Sequence, residues 1–199
     1  MSSAPLEQAV QRGMPRAALA VCAALVAIGL VAFAAGLLTD AATTWRAFHV
    51  NTLYFGGLAQ AGVVLASIFV IIGATWPGPV RHSTAALSAW VPVTLVLAAV
   101  SFLGRHHIYP WIDEPLSWKA TWLNQGRLFA TDLAILAVLS LLSYAFLKAS
   151  VRPTLHGAAE GATGFAKGMI ERWTAGWRGE EEERVASAAR LKVLAPIIC

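Results

Sequence analysis

Between two long apolar runs lies Gly104-Arg105-His106-His107-Ile108-Tyr109-Pro110-Trp111-Ile112-Asp113-Glu114-Pro115, where side chains able to move protons are most concentrated. An imidazole titrates near pH ~6.5, so His106 or His107 could take up a proton at working pH and pass it to Asp113 or Glu114. Tyr109 and Trp111 could flank a flat ring, and Arg105 could stabilise an anion developing on it. The same residues also suit an interfacial anchor, because Tyr and Trp favour the boundary between hydrocarbon and water while ionisable groups avoid the layer beneath. Asp132 is a further candidate: a helical rise of about 6–8 Å from its helix start keeps it near the interface, as a cap, an ion-pair partner or a proton relay.

The elements that must position these groups follow from composition. Of 199 residues, 57% are hydrophobic and 13% charged, with a mean hydropathy of +0.62. Soluble domains average roughly 45–50% apolar and about 25% charged, so the chain reads as a membrane protein. The net charge of +4 is spread over loops and forms no clustered basic face, which argues for topology and anionic-lipid contact and against nucleic acid. Cys22 and Cys199 have neither metal-ligand spacing nor a disulfide framework, so no metal site is expected.

Four spans are predicted, at about 17–38, 50–76, 85–104 and 128–147, each near the roughly 20 residues that cross a bilayer as helix. A flexible lead, 1–16, precedes them. Trp45, Arg46, Phe48 and His49 read as an interfacial connection, and Pro77-Gly78-Pro79 as a stop followed by a tight loop with Arg81 and His82. Asn51 and Gln60 are the interhelical polar candidates, since a lone amide in hydrocarbon must find a partner. Pro92 is expected to kink the third span.

After Pro153 the composition becomes glycine-rich and polar, so 151–189 is expected to be a cytoplasmic amphipathic linker. Phe165, Met169, Trp173 and Trp177 recur every fourth residue, a stripe suited to a membrane surface or a partner subunit. Residues 190–199 turn apolar again, like the start of a further, truncated span. The expected fold is therefore all-α, a polytopic transmembrane helix bundle with an amphipathic tail. With the N-terminus cytoplasmic, Arg12, Arg16, Arg81, Lys148, Arg152 and Lys167 lie inside, against Arg46, Arg105, Lys119 and Arg127 outside. That balance weakly favours this orientation and places His106 on the outer face.

Four pieces in order carry a resemblance: Trp45-Arg46-Ala47-Phe48-His49-Val50-Asn51, Gly56-Gly57-Leu58-Ala59-Gln60-Ala61-Gly62, Phe102-Leu103-Gly104-Arg105-His106-His107-Ile108-Tyr109-Pro110-Trp111 and Lys119-Ala120-Thr121-Trp122-Leu123-Asn124. Together they resemble the opening half of NrfD/PsrC-like membrane subunits, most closely the ActF and ActC subunits of alternative complex III, a quinol:electron-acceptor oxidoreductase. The resemblance covers roughly residues 40–150. It implies a multi-pass subunit of a bacterial inner membrane respiratory complex, with peripheral and membrane partner subunits. It also implies polar residues near a quinol head group or proton route in the segment after span three.

The chain has no CxxCH and no iron–sulfur cysteine run, so no cofactor is expected on this chain alone, haem and iron–sulfur clusters are expected in partner subunits, and quinol or quinone is the ligand it could bind. Two roles stand side by side: a subunit contributing to quinol binding or proton transfer, and a structural anchor for the redox subunits. A small transporter ranks below both because no inverted repeat is evident.

Overall fold

The computed structural model describes residues 15–76, 78–114, 124–158, 162 and 164–199. Expectations for the lead at 1–14, for Lys119 to Leu123 and for the side chain of Phe165 lie outside the described residues. Among the described residues every regular element is helical, and four segments are long and apolar enough to cross a membrane: Arg16–Thr39, Ala41–Ile71, Ser83–Ile108 and Gln125–Gly157. The chain is an all-α membrane protein.

The first helix, α1 (Arg16–Thr39), is apolar on every side and buries none of its residues, so bilayer or partner must cover it. Asp40 alone separates it from α2 (Ala41–Ile71). The Asp40 amide donates to Gly36, which closes α1, and its carboxylate accepts from the Thr43 amide at 3.1 Å, which opens α2. The Thr43 hydrogen bonds hold that carboxyl below its ordinary range. This capping overturns the expected interfacial connection: Trp45, Arg46, Phe48 and His49 lie on the first turns of α2, with Trp45 and Phe48 against Phe33 of α1 at 5.3 and 5.2 Å.

α2 ends at Ile71, and Gly73 turns the chain with φ +62°, a value only glycine adopts freely. The chain is helical again in α3 (Gly78–Leu87), where a loop is expected: Pro79 sits in the first turn, where its missing N–H costs nothing. A 3₁₀ turn, Ser88–Trp90, joins α3 to α4 (Val91–Ser101). Pro92 is the second residue of α4, so the irregularity expected at this proline is displaced into the 3₁₀ turn before it. A second 3₁₀ turn, Phe102–Gly104, leads to α5 (Arg105–Ile108), and a third, Pro110–Ile112, follows.

The fourth span is the long helix α6 (Gln125–Ala158), capped by Asn124, whose side chain accepts from the Arg127 amide at 3.2 Å. It outruns the expected end at 147 and passes through Pro153. Proline has no N–H to give the carbonyl four residues earlier, which here is Ala149. Ser187 supplies the missing donor: its hydroxyl donates to the Ala149 carbonyl from α8 (Glu180–Ile198). Between them α7 (Gly164–Thr174) folds back, so the expected linker is two helices.

Residues 190–199, expected to start a new span, are instead the last turns of α8, wedged between α2 and α6. Leu191, Ala195 and Ile198 join Val63 and Ala66 of α2, Ala85 of α3, and Phe146 and Ala149 of α6 in the main core. Close approach of α2 and α3 depends on Gly62, because a Cβ there would lie 2.7 Å from the Thr84 carbonyl oxygen.

Candidate functional site

A cavity of about 410 Å³ opens between α2, α4 and α6 below Tyr109. Its walls are mainly aliphatic, from residues such as Leu53, Val91, Leu133 and Leu136, and Phe129 adds an aromatic surface. The volume falls within the roughly 300–1,000 Å³ of small-molecule sites. At its wall Gly56 lets α2 approach α4 closely, since a Cβ there would lie 2.5 Å from the Thr94 methyl, whereas the Cβ position of Gly57 has open space around it.

Seven polar side chains line it: His49, Thr52, Gln60, Thr94, Ser101, Tyr109 and Asp132. Three are satisfied by their own helices. Thr52 donates to Phe48 at 2.9 Å, Thr94 to Trp90 at 3.2 Å and Ser101 to Leu97 at 3.1 Å, each to the carbonyl four residues back. The other four carry the unspent capacity.

Tyr109 and His49 meet with the phenol oxygen 3.3 Å from Nε2. Burial, then the nearby Asp132 carboxylate, push the Tyr109 phenol above its ordinary range, so it keeps its proton. The hydrogen bond to Nε2 is the one the phenol makes among the described residues. With Tyr109 donating, neutral His49 carries its own proton on Nδ1, and that buried nitrogen has no partner among the described residues. Gln60 Oε1 is likewise buried without one. Asp132 faces the cavity within electrostatic reach of both His49 and Tyr109. A carboxylate, an imidazole and a protonated phenol thus share one end of an apolar chamber, a set able to bind a polar ring and accept protons from it.

The expected site residues divide. Tyr109 and Asp132 reach this cavity; His106, His107, Arg105, Trp111, Asp113 and Glu114 do not line it. His106 Nδ1 and Asp113 Oδ1 do pair, at 2.7 Å, but both side chains are about half exposed. His107 offers its carbonyl to Arg46 Nε at 2.9 Å, and Arg105 lies 4.5 Å over the Phe102 ring. Trp111 contacts the Tyr109 ring at 5.6 Å, and Glu114 is exposed. Gly104 lets this segment seat on Trp45, since a Cβ there would fall 2.1 Å from the indole.

Gln60 and Asn51 depart from their expected interhelical bonding. Asn51 is exposed and donates to Ala47 of its own helix at 2.8 Å, the cheapest partner for an amide at a helix surface. The helix cap that Asp132 could have provided is made by Asn124. His49 was the residue missed. Its signal is the spacing His49, Thr52, Gly56, Gln60, which lays polar and small groups along one face of α2.

At the opposite end of the bundle, Arg152 of α6 gathers the last helices. Its Nε and Nη2 hold the Glu183 carboxylate side-on at 2.6 and 2.8 Å, while Nη1 and Nη2 donate to the Trp173 and Ala175 carbonyls at 3.0 and 3.1 Å. The two side chains are 12% and 6% exposed, so the pair is sheltered. The guanidinium beside it holds the Glu183 carboxyl below its ordinary range. This fold-back alters the aromatic stripe expected to face membrane or partner. Trp173 meets Tyr144 at 5.5 Å and packs on Leu155, Ala162 and Ile170, and Trp177 stacks on His156 at 4.4 Å; Met169 stays exposed. Comparison with family models, curated proteins and solved structures finds no match to the chain.

Proposed function

We propose that the chain is an integral membrane subunit of a respiratory quinol:electron-acceptor oxidoreductase of the bacterial inner membrane, and that a quinol head group enters the cavity between α2, α4 and α6. The observation that carries this reading is the combination of an apolar chamber within the spans with three groups suited to a dihydroxy ring: His49, Tyr109 and Asp132. Oxidation of a quinol releases two protons and two electrons. His49 takes one proton at Nε2, relayed through the Tyr109 hydroxyl that donates to it, Asp132 takes the other on its carboxylate, and the electrons pass to haem or iron–sulfur centres in partner subunits. The His106–Asp113 pair is then an exit relay toward water, outside the binding chamber.

The anchor role keeps its own support: α1 buries no residue, which leaves a whole span free to seat against another subunit. Purification from membranes in mild detergent separates the readings. Co-migration with haem- or iron–sulfur-bearing subunits is expected on both, and saturable quinol binding only on the first. Isolation as a lone chain or homo-oligomer contradicts both.

A further inference from the structure

A second cavity, of about 670 Å³, lies between α6 and α8 at the Arg152 end of the bundle. Its inner wall is aliphatic, from Ala145, Val193 and Leu194, and its rim is cationic, from Lys148, Arg152 and Arg190. Arg152 is committed to Glu183 and to two backbone carbonyls. Lys148 makes no hydrogen bond or ion pair among the described residues, and Arg190 acts on Glu183 only at longer range. No carboxylate lines this groove: Glu183, bound to Arg152, and Glu182 line an adjoining cleft shared with Arg152 and Arg190, so the rim itself is cationic.

Depth fixes what such a rim can meet. Arg127 and Lys148 bound the membrane-facing stretch of α6, which is uncharged between them except for Asp132. At 1.5 Å per residue they stand about 30 Å apart, the thickness of a hydrocarbon core. Lys148 therefore sits at the headgroup boundary opposite Tyr109, with Arg152 one turn further out. Val193, 63% exposed, continues the aliphatic wall into the hydrocarbon.

We infer that this groove binds an anionic phospholipid, its phosphate between Lys148 and Arg190 and the start of an acyl chain along Ala145, Val193 and Leu194. The cationic rim selects an anion, and the aliphatic wall continuous with the bilayer interior selects a lipid over a free phosphate. The lipid would cement α8 to α6 beside the Arg152–Glu183 pair. This site is separate from the chamber beneath Tyr109 and does not rest on quinol binding.

The test is a titration of the full chain in mild detergent with fluorophore-labelled phosphatidylglycerol, using equally labelled phosphatidylcholine as the control. Phosphatidylglycerol is expected to bind more tightly, and Lys148→Gln with Arg190→Gln to weaken it by about fivefold for each charge removed. The charge-preserving Lys148→Arg with Arg190→Lys is expected to keep the affinity, with unchanged helicity showing that each variant is folded. Equal binding of the two lipids, or equal affinity in parent and Gln variants, overturns the site. Displacement by millimolar inorganic phosphate also overturns it and makes the groove a free-anion site. Loss of affinity in the charge-preserving pair does the same.

Discussion

At the scale of single residues, His49 and Asp132 bear the proton chemistry of the proposal, and each can be removed without touching the main core. In a complex shown to be assembled, His49→Ala and Asp132→Asn are each expected to lower quinol-dependent turnover by about tenfold or more, the low end of what a positioned acid or base contributes. His106→Ala, on the exposed pair, is expected to have a smaller effect. A His106 variant as damaged as the His49 variant would move the chemistry back to the outer segment. At the other end, Glu183 has a folded pKa below its unfolded one, so it stabilises above the unfolded value of about 4.3 and that contribution is lost as pH falls through the folded value. Thermal unfolding in detergent should therefore fall more steeply with acid in the parent than in Glu183→Gln, and parallel profiles would contradict the pairing. Tyr109 and Asp132 were legible in sequence as ionisable groups near an interface. His49 was not, because one imidazole beside Trp45 and Phe48 reads as boundary residue until a fold brings Tyr109 from sixty residues away onto its Nε2.

At the scale of elements, the four spans were legible because uninterrupted apolar length is enough to mark them. Their ends were less so. α2 starts at Ala41 because Asp40 caps it, and α6 passes Pro153 because Ser187, from another helix, donates to the Ala149 carbonyl. A breaker rescued by a distant donor leaves no local trace. Ser187→Ala should accordingly cost about 1–3 kcal/mol, the penalty of leaving a buried carbonyl unpaired, read as a lower thermal midpoint in detergent. An unchanged midpoint would mean that water replaces the hydroxyl. Gly62 makes a separate claim about helix approach. Gly62→Leu pushes α2 from α3 against the Thr84 carbonyl and should destabilise by about 1–3 kcal/mol or more, whereas Gly57→Ala, with open space around its Cβ position, should be close to neutral.

At the scale of the whole molecule, one end of the bundle carries the Tyr109 chamber and the exposed His106–Asp113 pair, and the other carries Arg152, the fold-back of α7 and α8, and the cationic groove. The proposed orientation puts the first end outside. With Cys22 and Cys199 replaced, an impermeant thiol reagent should label Trp111→Cys in intact cells and leave Arg178→Cys untouched; the reverse pattern would invert the protein. The α7–α8 fold-back was hidden in the sequence because its glycine-rich composition resembles a linker, and its order depends on Arg152 reaching Glu183 across thirty-one positions. The central claim is that a quinol occupies the chamber. Irradiation of the detergent-solubilised complex with a photoreactive quinone, followed by peptide mapping, tests it most directly. The account predicts label on α2 between His49 and Gln60 and on α6 between Phe129 and Leu136, removed by excess unlabelled quinol. Label confined to partner subunits, or to residues 105–114, would contradict it.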